Sequence, residues 1–255
     1  FTPGIGTVTF NGTGAQSITK GSAATFYDIT FSSSGTTTLG CALNISDDLT
    51  IEGTAKLDVS ASNYALDIDG DWNVTSSTAD PFVEQSGTVT FSGSGAQNQS
   101  SSLAAGETFY NLTVSTLTPG LTLNSAGGID LNVTNLLSIS SSAFLLGNDH
   151  NINLSGSWSN SGTFTPGASG TITFTGSGTH NLTNTSGETF TNLTSNTTGT
   201  IAFEAANDLT VTGTMTMTSG NFDLNSRTLT LGSGSVSTLS HTNGIVYNGN
   251  FTRYF

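Results

Sequence analysis

The sequence predicts an all-β fold, a right-handed parallel β-helix (β-solenoid) spanning residues 1–255 as one body. Three observations predict it. Apolar and small polar residues alternate in short strings, a motif set recurs three times along the chain, and strand-like strings return about every 20 residues within each recurrence. Strict alternation marks a strand with one buried face, and it is clear in Thr7-Val8-Thr9-Phe10 and Thr228-Leu229-Thr230-Leu231. No stretch carries a capped helical period.

The long repeat is read from four markers. Gly6-Thr7-Val8-Thr9-Phe10 returns as Gly87-Thr88-Val89-Thr90-Phe91 and Gly170-Thr171-Ile172-Thr173-Phe174, at steps of 87 − 6 = 81 and 170 − 87 = 83 residues. Each copy runs on into a Gly-rich turn. Thr25-Phe26-Tyr27-Asp28-Ile29 matches Thr108-Phe109-Tyr110-Asn111-Leu112 and Thr189-Phe190-Thr191-Asn192-Leu193. Asp48-Leu49-Thr50-Ile51 matches Asp130-Leu131-Asn132-Val133 and Asp208-Leu209-Thr210-Val211. Leu66-Asp67-Ile68-Asp69-Gly70-Asp71-Trp72 matches Ile152-Asn153-Leu154-Ser155-Gly156-Ser157-Trp158, and copy three keeps only Leu229-Thr230-Leu231-Gly232. The units are residues 6–86, 87–169 and 170–255. Periods of this kind signal stacked arrays, here three units of roughly 82 residues with about four coils each.

Tandem β-sandwiches are the alternative, because one unit is long enough for a small sandwich. The nested 20-residue period favours coils instead, stacked at about 4.8 Å to give a rod of roughly 60 Å. In such a rod Phe10, Phe26, Phe91, Phe109, Phe174 and Phe190 are expected to form aromatic ladders. Asn44, Asn111 and Asn192 are expected at left-handed corners and in side-chain ladders. Phe1-Thr2-Pro3-Gly4 repeats Phe164-Thr165-Pro166-Gly167, the segment that leads into copy three, so the chain reads as a piece of a longer array or as a subunit that stacks end to end.

Composition narrows the function. Charged residues make up 8% of the chain, against about 25% in an average domain, so Ser, Thr, Asn and Gly supply the polar surface. The net charge is −13, with Lys20, Lys56, Arg227 and Arg253 the only basic residues. That balance argues against nucleic acid and anionic membrane as partners. No apolar run is long enough to predict membrane insertion. Cys41 stands alone, so neither an internal disulfide nor a cysteine zinc site is available.

The Gly-Thr-Val-Thr-Phe, Thr-Phe-Tyr-Asn-Leu and Leu-x-Leu-x-Gly-x-Trp motifs resemble the Gly/Thr/Asn-rich β-helical repeats of large secreted surface proteins exported by the type IX pathway. The tail Asn243 to Phe255 is similar to segments that close the helical part in such proteins. The resemblance implies an extracellular or cell-surface location and a structural or adhesive role in a stalk, adhesin or filament. Its partners would be copies of itself, adjoining domains of a longer chain, or surface glycans. It brings no catalytic residues and no cofactor.

Individual residues add candidates. Asp67, Asp69 and Asp71 alternate as strand residues on one face do, and hard cations such as Ca²⁺ take carboxylate oxygens, so they form a candidate calcium site. The pairs Thr7/Thr9, Thr88/Thr90 and Thr171/Thr173 are candidates for a flat polysaccharide- or ice-binding face, with Thr214, Thr216 and Thr218 as a further string. They stand one long unit apart rather than on successive coils. Trp72 and Trp158 are candidates for sugar stacking. His150, His180 and His241 are read as solvated or capping groups. No paired carboxylates or nucleophile elbow suggest an enzyme.

Overall fold

The computed structural model describes residues 3–124, 131–204, 207–234 and 237–255. Phe1, Thr2 and Asp130, named above in the repeat alignments, lie outside the described residues. Every strand pairing among the described residues is parallel, and partners lie about 19 to 27 residues apart. Parallel pairing requires the chain to come round between partners. The result is a β-solenoid of about 11 turns, at 4.8 Å per turn a rod of roughly 50 Å.

Each turn lays down three strand positions, which build three faces. The first face begins with Thr7–Phe10, Asp28–Phe31, Leu49–Ile51 and Trp72–Val74, then runs through Gln97–Ser101 to Thr163–Thr165. It resumes as Glu188–Phe190, Leu209–Val211, Thr228–Leu231 and Asn250–Arg253. The second face begins with Gln16–Ile18, Thr36–Leu39, Lys56–Asp58 and Phe82–Val83. The third begins with Ala24–Phe26, Leu43–Ile45, Leu66–Ile68 and Thr88–Phe91.

From the fifth turn the second and third faces merge into one sheet. Single strands such as Glu107–Val114, Leu131–Ile139, Asn192–Phe203 and Thr214–Asp223 cross the corner between them and fill two positions each. The crossing is visible in burial. Glu107–Val114 alternates buried and half-buried, breaks at Tyr110 and Asn111, then alternates again.

The repeat unit does not contain a whole number of turns. Thr88–Phe91 is the twelfth strand in the chain, so it stands 12 − 1 = 11 positions after its counterpart Thr7–Phe10. Thr171–Phe174 is the twenty-first strand, and two intervening strands fill double positions, so it stands 23 − 12 = 11 positions further on. Eleven strands over three faces make three and two-thirds turns, rather than the four coils expected. Each copy is therefore rotated by one face relative to the one before. Thr7–Phe10 lies on the first face, Thr88–Phe91 on the third and Thr171–Phe174 on the second.

This rotation alters the expected aromatic ladders, because equivalent phenylalanines point from different faces. Phe10 stacks on Phe31 of the next turn, with ring centroids 5.6 Å apart, and meets Phe26 edge-on. Phe109 and Phe190 join compact clusters instead. The inward column on the third face is a continuous register of Ile45, Ile68, Phe91, Val114 and Ile139. All five are buried. One apolar core runs through all three copies.

The corners also differ from expectation. Left-handed backbone falls on Asn63, Asn148, Asn225 and Asn248, not on Asn44, Asn111 or Asn192. The latter three lie within strands. Gly93 marks a close corner approach, where a Cβ would overlap the Asp69 carbonyl oxygen of the preceding turn. Gly95, two residues on, has open space. Gly93→Ala is predicted to destabilise the rod by about 1–3 kcal/mol, the usual cost of overpacking, while Gly95→Ala is predicted to be nearly neutral, as read by denaturant unfolding.

Candidate functional site

Two kinds of polar structure stand out on this frame: outward ladders on the faces and buried polar contacts between copies.

The outward ladders start from local strand geometry. Alternate residues of each strand point to solvent, and parallel stacking places like positions of successive turns side by side. On the first face the column entering the strand reads Thr7, Asp28, Asp48, Asp71 and Asn98. The Thr7 hydroxyl donates to Asp28 Oδ2. Asp28 Oδ1 accepts the Asp48 N–H, and Asp48 Oδ1 accepts the Asp71 N–H at 2.7 Å. Asp71 accepts the Asn98 N–H at 2.7 Å. Each carboxylate thus caps the backbone of the following turn. Burial raises the Asp48 carboxyl above its ordinary value, the Asp71 N–H opposes this, and the Asp71, Asp47 and Asp28 charges add to the rise.

This geometry divides the three candidate calcium ligands. Asp67 and Asp69 are brought together, both accepting from the Ser92 hydroxyl, while Asp71 belongs to the corner column. A different trio, Asp28, Asp47 and Asp48, has carboxylate oxygens within 4.8 Å of one another. The Tyr27 hydroxyl hydrogen-bonds to Asp47 and is pushed above its ordinary value by that bond. Asp47 and Asp48 are adjacent in the chain. The missing signal was Asp28, one turn back at this corner and visible only once coil length is known.

The same columns recur in the other copies with neutral residues. Asn111 Nδ2 donates to the Thr88 hydroxyl, and Asn135 Nδ2 donates to Asn111 Oδ1. Asn192 Oδ1 accepts the Thr214 N–H. The pairs Thr7/Thr9, Thr88/Thr90 and Thr171/Thr173 all point outward, but from three different faces. The structure joins Thr171/Thr173 instead to residues of copy three itself. Asn192/Thr194, Thr214/Thr216 and Thr238/Ser240 lie beside it on successive turns, giving two outward columns on one face.

Trp72 and Trp158 are enclosed in the core, with 0% and 1% exposure, so neither ring has a face open to a ligand. Each lies at a copy junction among aromatic rings. Trp72 packs edge-on against Phe82 and Phe109 at 4.9 and 5.1 Å. Trp158 packs edge-on against Phe164 and Phe190 at 4.9 and 5.2 Å. The indole N–H donates to a buried carboxyl in both places, Glu107 at 3.3 Å and Glu188 at 2.8 Å. Glu188 also accepts from Asn160. Sequence reading missed both glutamates, because they occupy a strand position normally held by an apolar residue, as Ala24 does in copy one.

Two of the three histidines are buried rather than solvated. His180 is fully buried, with Nδ1 3.0 Å from the Gly156 carbonyl and Nε2 2.7 Å from the Thr197 hydroxyl. It replaces Gln97 of copy two, whose amide donates to the Ile68 and Gly70 carbonyls. Both side chains plug the inside of a Gly-rich corner. His150 is buried beside the Asn148 carbonyl, and exposed His241 contacts the Gly244 carbonyl.

Comparison with known proteins returns no matching family model, no matching curated protein and no matching solved structure.

The corner column yields a direct test. Asp48→Ala is predicted to lower unfolding free energy by about 1 kcal/mol, because the Asp71 N–H loses its acceptor. Asp48→Asn keeps a side-chain oxygen and removes charge repulsion from Asp47 and Asp28. It is predicted to match or exceed the parent protein in the same urea titration.

Proposed function

We propose that the chain is a structural and adhesive spacer, an extracellular β-solenoid segment of a cell-surface stalk, adhesin or filament. The observation that carries this reading is the single core threading all three copies, in which each turn covers the apolar residues of the last. A body held by neighbour contacts alone transmits length and load along one axis. The polar outward columns, acidic in copy one and uncharged in copies two and three, suit solvent exposure along the rod.

The partners in this reading are copies of the same chain or adjoining β-structure of a longer one. Terminal turns carry strand edges and exposed apolar side chains, including Ile5, Ile245, Tyr247 and Phe251. Such edges favour strand addition. The repeat motifs further suggest the cargo of type IX export. Electron microscopy of purified protein tests the reading. Straight rods with a length of roughly 50 Å per chain, or integral multiples of it, are expected. Three separate beads, or a compact particle with a deep cleft, would overturn it.

A second reading is favoured by one observation, the double column of copy three. Thr171/Thr173, Asn192/Thr194, Thr214/Thr216 and Thr238/Ser240 repeat at about 4.8 Å across the turns and about 6.7 Å along each strand. A flat, regular, uncharged array of hydroxyls and methyls fits a neutral polysaccharide or an ice surface. In this reading Thr194→Lys/Thr216→Lys lowers retention on neutral polysaccharide, or the shaping of ice crystals, at least about tenfold, since each lost hydrogen-bonding site contributes about 1 kcal/mol. Equal retention by the parent and variant proteins would rule the array out.

A further inference from the structure

The copy junctions differ from every other step of the rod. On the second face the backbone ladder stops after Phe82–Val83, and residues 107–109 of the next turn are not hydrogen-bonded to it. On the first face it stops after Thr163–Thr165, with Glu188–Phe190 next. These two breaks are equivalent, since each lies eleven strand positions from the other. Side chains replace the missing backbone bonds at both. Phe82 faces Phe109 at 5.9 Å, and Phe164 faces Phe190 at 6.0 Å. The tryptophan of the earlier copy closes each cluster and holds the glutamate of the later copy.

The clasp joins one copy to the next and is absent elsewhere among the described residues. Copy one has Ala24 where the later copies have Glu107 and Glu188, and copy three has Leu239 where the earlier copies have Trp72 and Trp158. Neither glutamate has a basic partner. Around Glu107 the strand bearing Trp72 brings no titratable group, the Phe82 segment brings Asp80 and Glu84, and the Leu131 strand brings none among the described residues. Around Glu188, Trp158, Asn160 and Phe164 are uncharged. Asp208, next to the paired Leu209, directs its carboxylate to the Thr228 N–H.

From this arrangement we infer that the two clasps are proton-locked joints. When Glu107 and Glu188 lose their protons, the rod loosens at the copy boundaries while the turns inside each copy stay folded. An unpaired carboxylate is costly in a buried aromatic pocket, and at these steps one of three backbone ladders is already missing. Burial raises Glu107 from 4.5 to about 8, with Asp80 and Glu84 adding to the rise against the hydrogen bonds from Trp72 and Thr108. Burial also raises Glu188, opposed by Asn160, Trp158 and Thr189. For Glu107 the folded protein holds a proton that the unfolded chain releases between 4.5 and about 8. Its stabilising contribution is therefore complete below 4.5, falls as pH rises through that window, and is gone above about 8.

Trp72 and Trp158 are the only tryptophans in the chain, so indole fluorescence reports on the joints alone. Titration of the intact protein from pH 6 to 10 (~4 units, centred on the buried acid) is expected to give a red shift without loss of far-ultraviolet circular dichroism. Trp158→Phe leaves Trp72 as the sole reporter, and adding Glu107→Gln to it is expected to abolish the remaining transition. A flat titration of the parent protein would overturn the inference. So would a transition that survives Glu107→Gln in that background, or one that coincides with loss of β-structure.

Discussion

Every turn of this rod leaves its inward side chains open along the axis until the next turn covers them. That constraint governs the rest of the structure. It demands parallel pairing, since only a chain that comes round the same way places like residues in register. It favours apolar inward positions, as in the third-face column through Ile68, Phe91 and Val114, and the inward polar groups Gln97, His180, Glu107 and Glu188 are each hydrogen-bonded. It also makes each step between turns a separate interface, so stability is distributed along the axis and weak steps stay local.

The mismatch between an eleven-strand repeat and a three-sided cross-section follows from the same stacking. A unit of four whole turns would place every copy's outward column on one face. Three and two-thirds turns instead wind the columns round the rod, one face per copy. Copy one presents aspartates, copy two threonine, asparagine and serine, and copy three mostly threonine. The aspartate column of copy one, Asp28, Asp48 and Asp71, therefore lies on one face, while the hydroxyl array of copy three looks out from another.

Where one copy meets the next, the backbone ladder on one face is interrupted and aromatic packing with a buried carboxyl takes over. Edge-to-face rings are directional, and an indole N–H in a dry pocket needs an acceptor. The protonated carboxyl meets that need without introducing a buried charge. The arrangement links fold to behaviour: a rigid rod within each copy, with proton-dependent steps between them.

The sequence by itself determined the all-β class, the parallel solenoid, the threefold repeat and most of the apolar core. Those features depend on alternation and spacing, which are local and periodic. It also placed Asp71 and the threonine pairs at outward positions. Only the tertiary structure decided which of these residues meet. Asp28 reaches Asp48, Thr173 lies beside Thr194 and Thr194 beside Thr216, and Glu107 reaches Trp72 because each turn has a particular length and each copy is rotated by one face. Coil length is set by how corners such as Gly93 close against the preceding turn. A corner's closure depends on atoms some 20 residues away, so no local pattern in the chain reveals it.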